Sequence, residues 1–300
     1  MIKEGDEFVL EIAAEIQRLF GNNVQVTDRV PVSGGDINEA YRLCLSDGCD
    51  LFIKLNDKAG EDFFLAEKAG LEALRAAGAN TPQVLGYGKL AGNSAYLLLE
   101  YVRSACPQRN YGEMLGHMLA EVHRAAVDNT ARKGRFGFSR DNYIGQIRQK
   151  NKGNDSWIEF FRTSRLAVQF DLAADYLDKE DRRKCQNLLE HLDKFLIEPA
   201  FPSLLHGDLW SGNVMPDSQG NPMLIDPAVY VGHHEADLAM SELFGGFPPE
   251  FYDAYHEIIP REPGYADRRD LYNLYHLLNH LNLFGSSYLA AVRRIVKRYM

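Results

Sequence analysis

Apolar residues recur at helical spacing over 6–20, where Phe8, Val9, Ile12, Ile16, Leu19 and Phe20 share one side and Gly21 stops the run. The pattern then turns to alternation. Val24, Val26, Val30 and Val32 predict a strand over 24–32, and 40–45 and 49–55 predict two more, joined by a hairpin signal at Asp47-Gly48. Helical spacing returns over 61–77, with Phe63, Phe64, Leu71 and Leu74 on one side and Gly78 as the stop. Residues 84–88 and 95–101 read as a fourth and a fifth strand. Beyond residue 102 the periodicity is mostly helical, over 111–126, 157–176, 182–195 and 272–284. The pattern predicts an α+β chain in two lobes: a small antiparallel sheet with one main helix over 1–102, and a larger, mostly helical lobe over 103–300.

Two stretches interrupt the helical part. Residues 131–154 are rich in Gly, Arg, Lys and Asn, with Phe136, Phe138 and Tyr143 among them; this is either a mobile surface loop or a wall over a cleft. Residues 204–228 carry the chemistry. Leu204-Leu205 run into His206-Gly207-Asp208, Asn213 follows five residues after the aspartate, and Met223-Leu224-Ile225 deliver Asp226 beyond a turn at 217–222. Mg²⁺ takes hard oxygen ligands, commonly one or two carboxylates with phosphate oxygens completing the set. Phosphoryl transfer also needs a separate carboxylate to orient the attacking hydroxyl. Asp208 is the candidate base, with Asn213 and Asp226 as candidate metal ligands. The spacing from Asp208 to Asn213 matches the catalytic loop of kinases, with Gly207 in place of the usual arginine.

The first lobe supplies what such a site requires. Lys54 lies in a strand among Phe52, Ile53 and Leu55, and Glu67 lies in the following helix, thirteen residues further on. Lysines are common on edge strands and glutamates on solvated helices, but a strand lysine paired to a helix glutamate is the kinase device for fixing the α- and β-phosphates. Gly34 and Gly35 sit in a turn between two strands, where backbone N–H groups can cover nucleotide phosphates. Backbone groups of Glu100, Tyr101 and Val102, at the lobe boundary, would meet the adenine edge. Glycine turn, Lys54, Glu67, boundary, Asp208, Asn213 and Asp226 come in the order of a two-lobed protein-kinase-like fold, with ATP and Mg²⁺ as the expected cofactors.

Composition narrows the partners. The 300 residues are 45% hydrophobic and 25% charged, with a net charge of −9. An acidic chain lacks the basic footprint of nucleic-acid or anionic-membrane binding. The acidic first twenty residues do not read as a signal peptide, and no apolar run approaches the length of a membrane span. Cys44, Cys49, Cys106 and Cys185 show no metal-ligand spacing and read as free thiols, so the expected location is cytoplasmic. His233-His234-Glu235-Ala236-Asp237 resembles a metal cluster, but adjacent histidines point apart. A helix start, with Glu235 and Asp237 near its N-terminus, is the simpler reading; the alternative is that Asp237 braces the catalytic loop by accepting its backbone N–H groups. His117 and His123 read as packed groups. Tyr272, Tyr275, His276, Asn279, His280 and Asn282 give the 272–284 helix an unusually polar, aromatic side, suited to a hydroxyl-bearing ligand or to satisfied burial.

Leu205-His206-Gly207-Asp208-Leu209-Trp210-Ser211-Gly212-Asn213-Val214 resembles the catalytic loop of the fructosamine kinase (ketosamine-3-kinase) family, within the wider aminoglycoside- and choline-kinase-like group. The resemblance extends to Phe52-Ile53-Lys54, Asp226-Pro227-Ala228, Tyr230-Val231-Gly232-His233, Phe244-Gly245-Gly246-Phe247-Pro248, Asn279-His280-Leu281-Asn282 and the Trp157 to Leu166 segment. It implies ATP-dependent phosphorylation of the sugar 3-hydroxyl of a ketosamine, small or protein-linked, followed by release of the amine. Carried over by residue, it implies Lys54 and Glu67 as the phosphate pair, Asp208 as base and Asn213 with Asp226 as metal ligands. Trp210 would stack against the sugar or its amine, with His280 on the polar helix as a further substrate contact. Many relatives hold a cysteine in the glycine turn, tied to redox-sensitive dimerisation; Asp36 stands there here, so a monomer or weak homodimer is expected. The alternatives are a kinase of another hydroxylated small molecule and a nucleotide-binding pseudokinase.

Overall fold

The computed structural model describes residues 7–32, 38–90, 94–125 and 135–300, with the side chains of 7–10 left aside. Gly34, Gly35 and Asp36 lie outside the described residues. The first part opens with helix α1 (Glu7–Phe20) and a five-stranded antiparallel sheet: β1 (Val26–Pro31), β2 (Glu39–Leu45), β3 (Asp50–Asn56), β4 (Val84–Lys89) and β5 (Ala95–Glu100), in the order β1-β2-β3-β5-β4. Helix α2 (Glu61–Ala76) crosses between β3 and β4. Alternation assigns the two faces. Leu43, Ile53 and Leu98 pack with Ile12 and Ile16 of α1, while Leu97 and Leu99 pack with Phe64 and Leu71 of α2. Lys54 therefore faces the α2 side. β3 is an inner strand, with Lys54 opposite Ala40 on one neighbour and Leu97 on the other, so the edge-lysine reading does not hold.

The rest is mostly helical, and the α+β prediction is borne out. Helix α3 (Tyr111–Arg124) is followed by a short hairpin, β6 (Asn142–Ile144) and β7 (Ile147–Gln149). The helix expected over 157–176 is instead α4 (Trp157–Phe161), a π-helical turn (Arg162–Leu166) and α5 (Ala167–Leu172). Then come α6 (Lys179–Glu190), β8 (Ser203–Leu205), β9 (Val214–Pro216), β10 (Pro222–Leu224) and β11 (Tyr230–Gly232), the strands pairing as β8 with β11 and β9 with β10. Helices α7 (Glu235–Leu243), α8 (Pro249–Ile258), α9 (Tyr265–Phe284) and α10 (Leu289–Arg298) complete the chain. One core gathers Trp157, Phe160, Phe161, Tyr230 and Tyr272; another joins Leu115 and Leu119 of α3 to Phe251 and Tyr255 of α8 and to Leu74 of α2. This second core carries α2, and with it Glu67, against the helical part.

α9 starts at Tyr265, seven residues before the expected 272, because Arg268 is buried against Glu235 in a two-pronged ion pair (2.6 and 2.7 Å). No described helix is long and apolar enough to cross a membrane. All four cysteines are free thiols.

Candidate active site

The Lys54 ammonium, only 7% exposed, donates to Glu67 Oε1 at 2.6 Å and to Asp226 Oδ1. Burial alone would lower its pKa; the two carboxylates more than offset that and raise it. A strand of the sheet, α2 and the loop beyond β10 thus meet at one cation. Removing either carboxylate would leave that charge buried and under-compensated.

The catalytic loop leaves β8 at His206. Gly207 has φ +81°, and a Cβ there would stand 2.1 Å from the Ala228 carbonyl oxygen. With that contact and a left-handed backbone, only glycine fits at 207 as this loop stands. His206 Nδ1 accepts the Asp208 N–H (3.3 Å), leaving Nε2 as the protonated nitrogen that donates to the Ile225 carbonyl (2.9 Å). Burial lowers the pKa of this imidazole, consistent with one neutral tautomer tying the two loops together. Both readings of Asp237 hold: α7 starts at Glu235, and the Asp237 carboxylate braces the loop, accepting the His206 N–H at 2.6 Å and the Gly207 N–H at 2.9 Å. Burial works against that charge, but His123 (3.2 Å) and the Gly207 N–H hold the pKa below its ordinary value. His123 is in turn fixed by the Tyr255 hydroxyl at 2.8 Å, so it is a packed group.

Asp208 points into the cleft, and burial pushes its carboxyl up to about 7, with Asp226 and Asp237 adding to the rise. Asn213 Nδ2 donates to the Asp208 carbonyl (2.9 Å) and to its carboxylate Oδ2 (3.0 Å). With the amide nitrogen committed there, the Asn213 oxygen is the end left for a cation. Asp226 is the one described non-glycine residue with positive φ, at 53°, and its side chain is 49% exposed. Such a backbone persists only where surroundings enforce it, commonly at functional sites. An amide oxygen and a half-exposed carboxylate on one cleft form a hard-oxygen pair that fits Mg²⁺. Among the described residues no group of three or more His, Cys, Asp or Glu forms a metal site, and His233 and His234 do not form one.

These groups line a cleft of about 800 Å³. Val32, Ala40, Leu99, Met215 and Ile225 give its lining an apolar part, and Glu100, Tyr101 and Val102 line it too. The Glu100 N–H and carboxylate are used inside the first part, by the Gln83 carbonyl (3.0 Å) and the Gln83 N–H (2.9 Å). Of Glu100, the carbonyl is what remains for a base edge, beside the backbone of Tyr101 and Val102.

Another part of the lining is aromatic. Trp210, 37% exposed, lies over Gly212, where a Cβ would stand 2.2 Å from the indole. Its ring meets Phe244 edge-on at 6.4 Å. His280 lies 4.9 Å from Phe244, 5.5 Å from Phe284 and 5.1 Å from Tyr288. The His276 carbonyl holds His280 Nδ1 at 2.8 Å, and burial lowers the imidazole's pKa.

The fructosamine kinase family model matches residues 9–300. The chain belongs to the fructosamine kinase family. It is 40% identical to the chloroplastic protein-ribulosamine 3-kinase of Arabidopsis thaliana, covering 93% of this chain and 85% of that one. A Synechocystis protein that carries a ketoamine kinase name is also 40% identical, covering 96% and 95%. A Thermobifida fusca crystal structure that carries a fructosamine-3-kinase name superposes with a TM-score of 0.82 at 33% identity, covering 96% and 98%. An aminoglycoside phosphotransferase, APH(4)-Ia, shares the fold alone, with a TM-score of 0.65 at 16% identity over 96% of each chain. Membership makes the chain an ATP-dependent kinase acting on a hydroxyl group.

The structure brings Lys54, Glu67, Asp208, Asn213, Asp226, Trp210 and His280 into the lining of this one kinase cleft. Phe284 and Tyr288 also line it without a sequence signal of their own, as does the Tyr143-Ile144-Gly145 hairpin tip, where Tyr143 belongs to the stretch read as a loop or a cleft wall. Tyr143 packs on Phe63 of α2, ring centroids 4.8 Å apart, so the 142–145 part of the glycine-rich segment is a wall of the cleft. The alternation Asn142-Tyr143-Ile144 before Gly145, answered by Ile147-Arg148-Gln149, was the signal available.

Proposed function

We propose that this kinase transfers the γ-phosphoryl group of ATP to the sugar 3-hydroxyl of a ketosamine, with residues 1–102 as the nucleotide lobe and 103–300 supplying base and acceptor site. Lys54, held by Glu67, meets the phosphates, and the 100–102 backbone meets adenine, with Gly34 and Gly35 over the phosphates. Asn213 and Asp226 hold Mg²⁺, which when bound neutralises charge on the phosphate oxygens. Asp208 orients the acceptor hydroxyl and takes its proton; a carboxyl with a pKa of about 7 is matched to that task near neutral pH. Trp210, with His280 behind it, carries the sugar and its amine. The phosphorylated adduct then releases the amine. The enzyme works as a cytoplasmic monomer or weak homodimer, without nucleic acid or membrane.

The observation that carries this reading is the convergence of Lys54, Glu67 and Asp226 in one ion cluster, in the same cleft as Asp208 and with Trp210 two residues beyond that base. The test is ATP consumption by the purified chain with Mg²⁺ and a panel of ribulosamines, erythrulosamines, fructosamines, aminoglycosides and choline. Turnover confined to ketosamines is expected. Turnover only with aminoglycosides or choline would move the acceptor, and none at all would leave a nucleotide-binding pseudokinase.

A further inference from the structure

Arg165 is fully buried, turned inward by the π-helical turn, and no carboxylate pairs with it among the described residues. Its guanidinium donates from Nη1 to the Lys150 and Ser164 carbonyls (2.6 and 3.0 Å) and from Nη2 to Asn151 Oδ1 (2.8 Å). It also lies 4.0 Å from the Tyr230 ring centroid and 4.6 Å from that of Phe160. Burying an unpaired charge is costly, so what it holds in place matters.

The bonds lead in one direction. Asn151 Nδ2 donates to Asn142 Oδ1 (2.8 Å), and Gln149 Nε2 donates to the same oxygen (2.8 Å). Asn142 Nδ2 donates to the Val229 carbonyl at 2.7 Å, and Gln149 Nε2 to the Ala228 carbonyl at 3.0 Å. The Tyr275 hydroxyl donates to Gln149 Oε1 at 2.7 Å, fixing which way that amide faces. The network ends on two consecutive carbonyls, two and three residues after Asp226. Ala228 is also where the two catalytic segments touch: its N–H bonds the His206 carbonyl (2.9 Å), and its carbonyl oxygen fills the space a Gly207 Cβ would need.

We propose that Gln149 and Asn142 are positioning residues of the transfer site. They hold the 226–229 segment so that Asp226 keeps its left-handed backbone and its spacing to Asp208, while Arg165, through Asn151, and Tyr275 orient their amides. The inference rests on the reading of Asp226 as a Mg²⁺ ligand. A role limited to satisfying buried carbonyls would change stability without changing the metal requirement. Partners behind metal ligands change metal affinity or activity by about 10- to 100-fold.

The test uses the full chain with Gln149→Leu, Tyr275→Phe and Asp226→Ala. Binding of a fluorescent ATP analogue is titrated with Mg²⁺ and repeated in EDTA, and kcat, ketosamine KM and Tm are measured alongside. Gln149→Leu is expected to raise the Mg²⁺ requirement for nucleotide binding about tenfold and to lower kcat about tenfold. Its ketosamine KM and its metal-free nucleotide binding stay as in the unmodified chain. Tyr275→Phe removes one hydroxyl, folds even where Gln149→Leu does not, and should shift the Mg²⁺ requirement about fivefold in the same direction. An unchanged Mg²⁺ requirement and kcat in Tyr275→Phe and in any folded Gln149→Leu, whatever the Tm, would overturn the inference while Asp226→Ala still loses Mg²⁺-dependent binding. Mg²⁺-dependent binding surviving in Asp226→Ala would overturn the metal reading and this inference together.

Discussion

At the proposed phosphate side of the cleft, each charged side chain is held by another group: Lys54 between Glu67 and Asp226, Asp208 by Asn213, and the 206–207 backbone by Asp237. At the proposed acceptor side Trp210 and Phe284 are 37% and 51% exposed; Trp210 meets Phe244 edge-on, Phe284 lies against His280, and burial lowers the pKa of that imidazole. Charge positioned in advance serves transfer, where the transition state must be met without reorganisation. Open aromatic surface serves recognition, gaining from stacking and area without demanding one geometry. Substitutions at the first end should therefore act on kcat and metal-dependent nucleotide binding, and those at the second on the acceptor KM.

The largest effect is expected from Asp208→Asn, which should cut ketosamine turnover on the order of 10³-fold while leaving ATP affinity nearly unchanged. Steady-state kinetics beside nucleotide titration check this, and undiminished turnover would remove Asp208 from the base role. Asp226→Ala should come next, abolishing Mg²⁺-dependent nucleotide binding; tight MgATP binding in that variant would break the comparison at its charged end. Trp210→Ala should raise the ketosamine KM about tenfold through lost stacking, with the ATP KM unchanged. A matching change in the ATP KM would show that the two ends are not separate.

Smaller effects reach the scaffold. His234 and His276 are held neutral by burial, each with a pKa lowered to about 3. Above the unfolded value of about 6.5 neither state carries the proton; as pH falls below it, only the unfolded chain takes the proton, so stability is lost down to the folded value. Each should remove about 1 kcal/mol between pH 6.5 and 5.5, seen as a falling Tm. His276→Phe should flatten that slope by one histidine's share. Phe284→Ala should have the least effect, raising the ketosamine KM about threefold, since its ring is already half in solvent.

The charged end was legible in the sequence because its residues sit in local patterns. Lys54 interrupts an apolar strand, Glu67 follows within the next helix, and Asp208 and Asn213 are five apart in one loop. The bracing by Asp237 was also readable, since an acid at a helix start stands out. What escaped depends on partners distant in sequence. Asn142 and Gln149 look like solvated loop residues until Val229, Ala228 and Tyr275 are seen around them. Arg165 lies in a stretch read as one regular helix, and the π-helical turn that accompanies its burial has no sequence signal there. Arg268 and Glu235 hid the first two turns of α9 in the same way, and α8 was missed although Pro249 at its first position is a helix start signal. The glycine turn at 34–35 stays an expectation, outside the described residues.

The most direct test of the account is the position of the transferred phosphate. Phosphorus and proton NMR of the product formed from ribulosamine, ATP and Mg²⁺ by the unmodified chain, with Asp208→Asn in parallel, locates it. A single phosphate on the sugar 3-hydroxyl is expected, absent with the variant, followed by release of the amine. A phosphate on another hydroxyl, or the same product from Asp208→Asn, would contradict it.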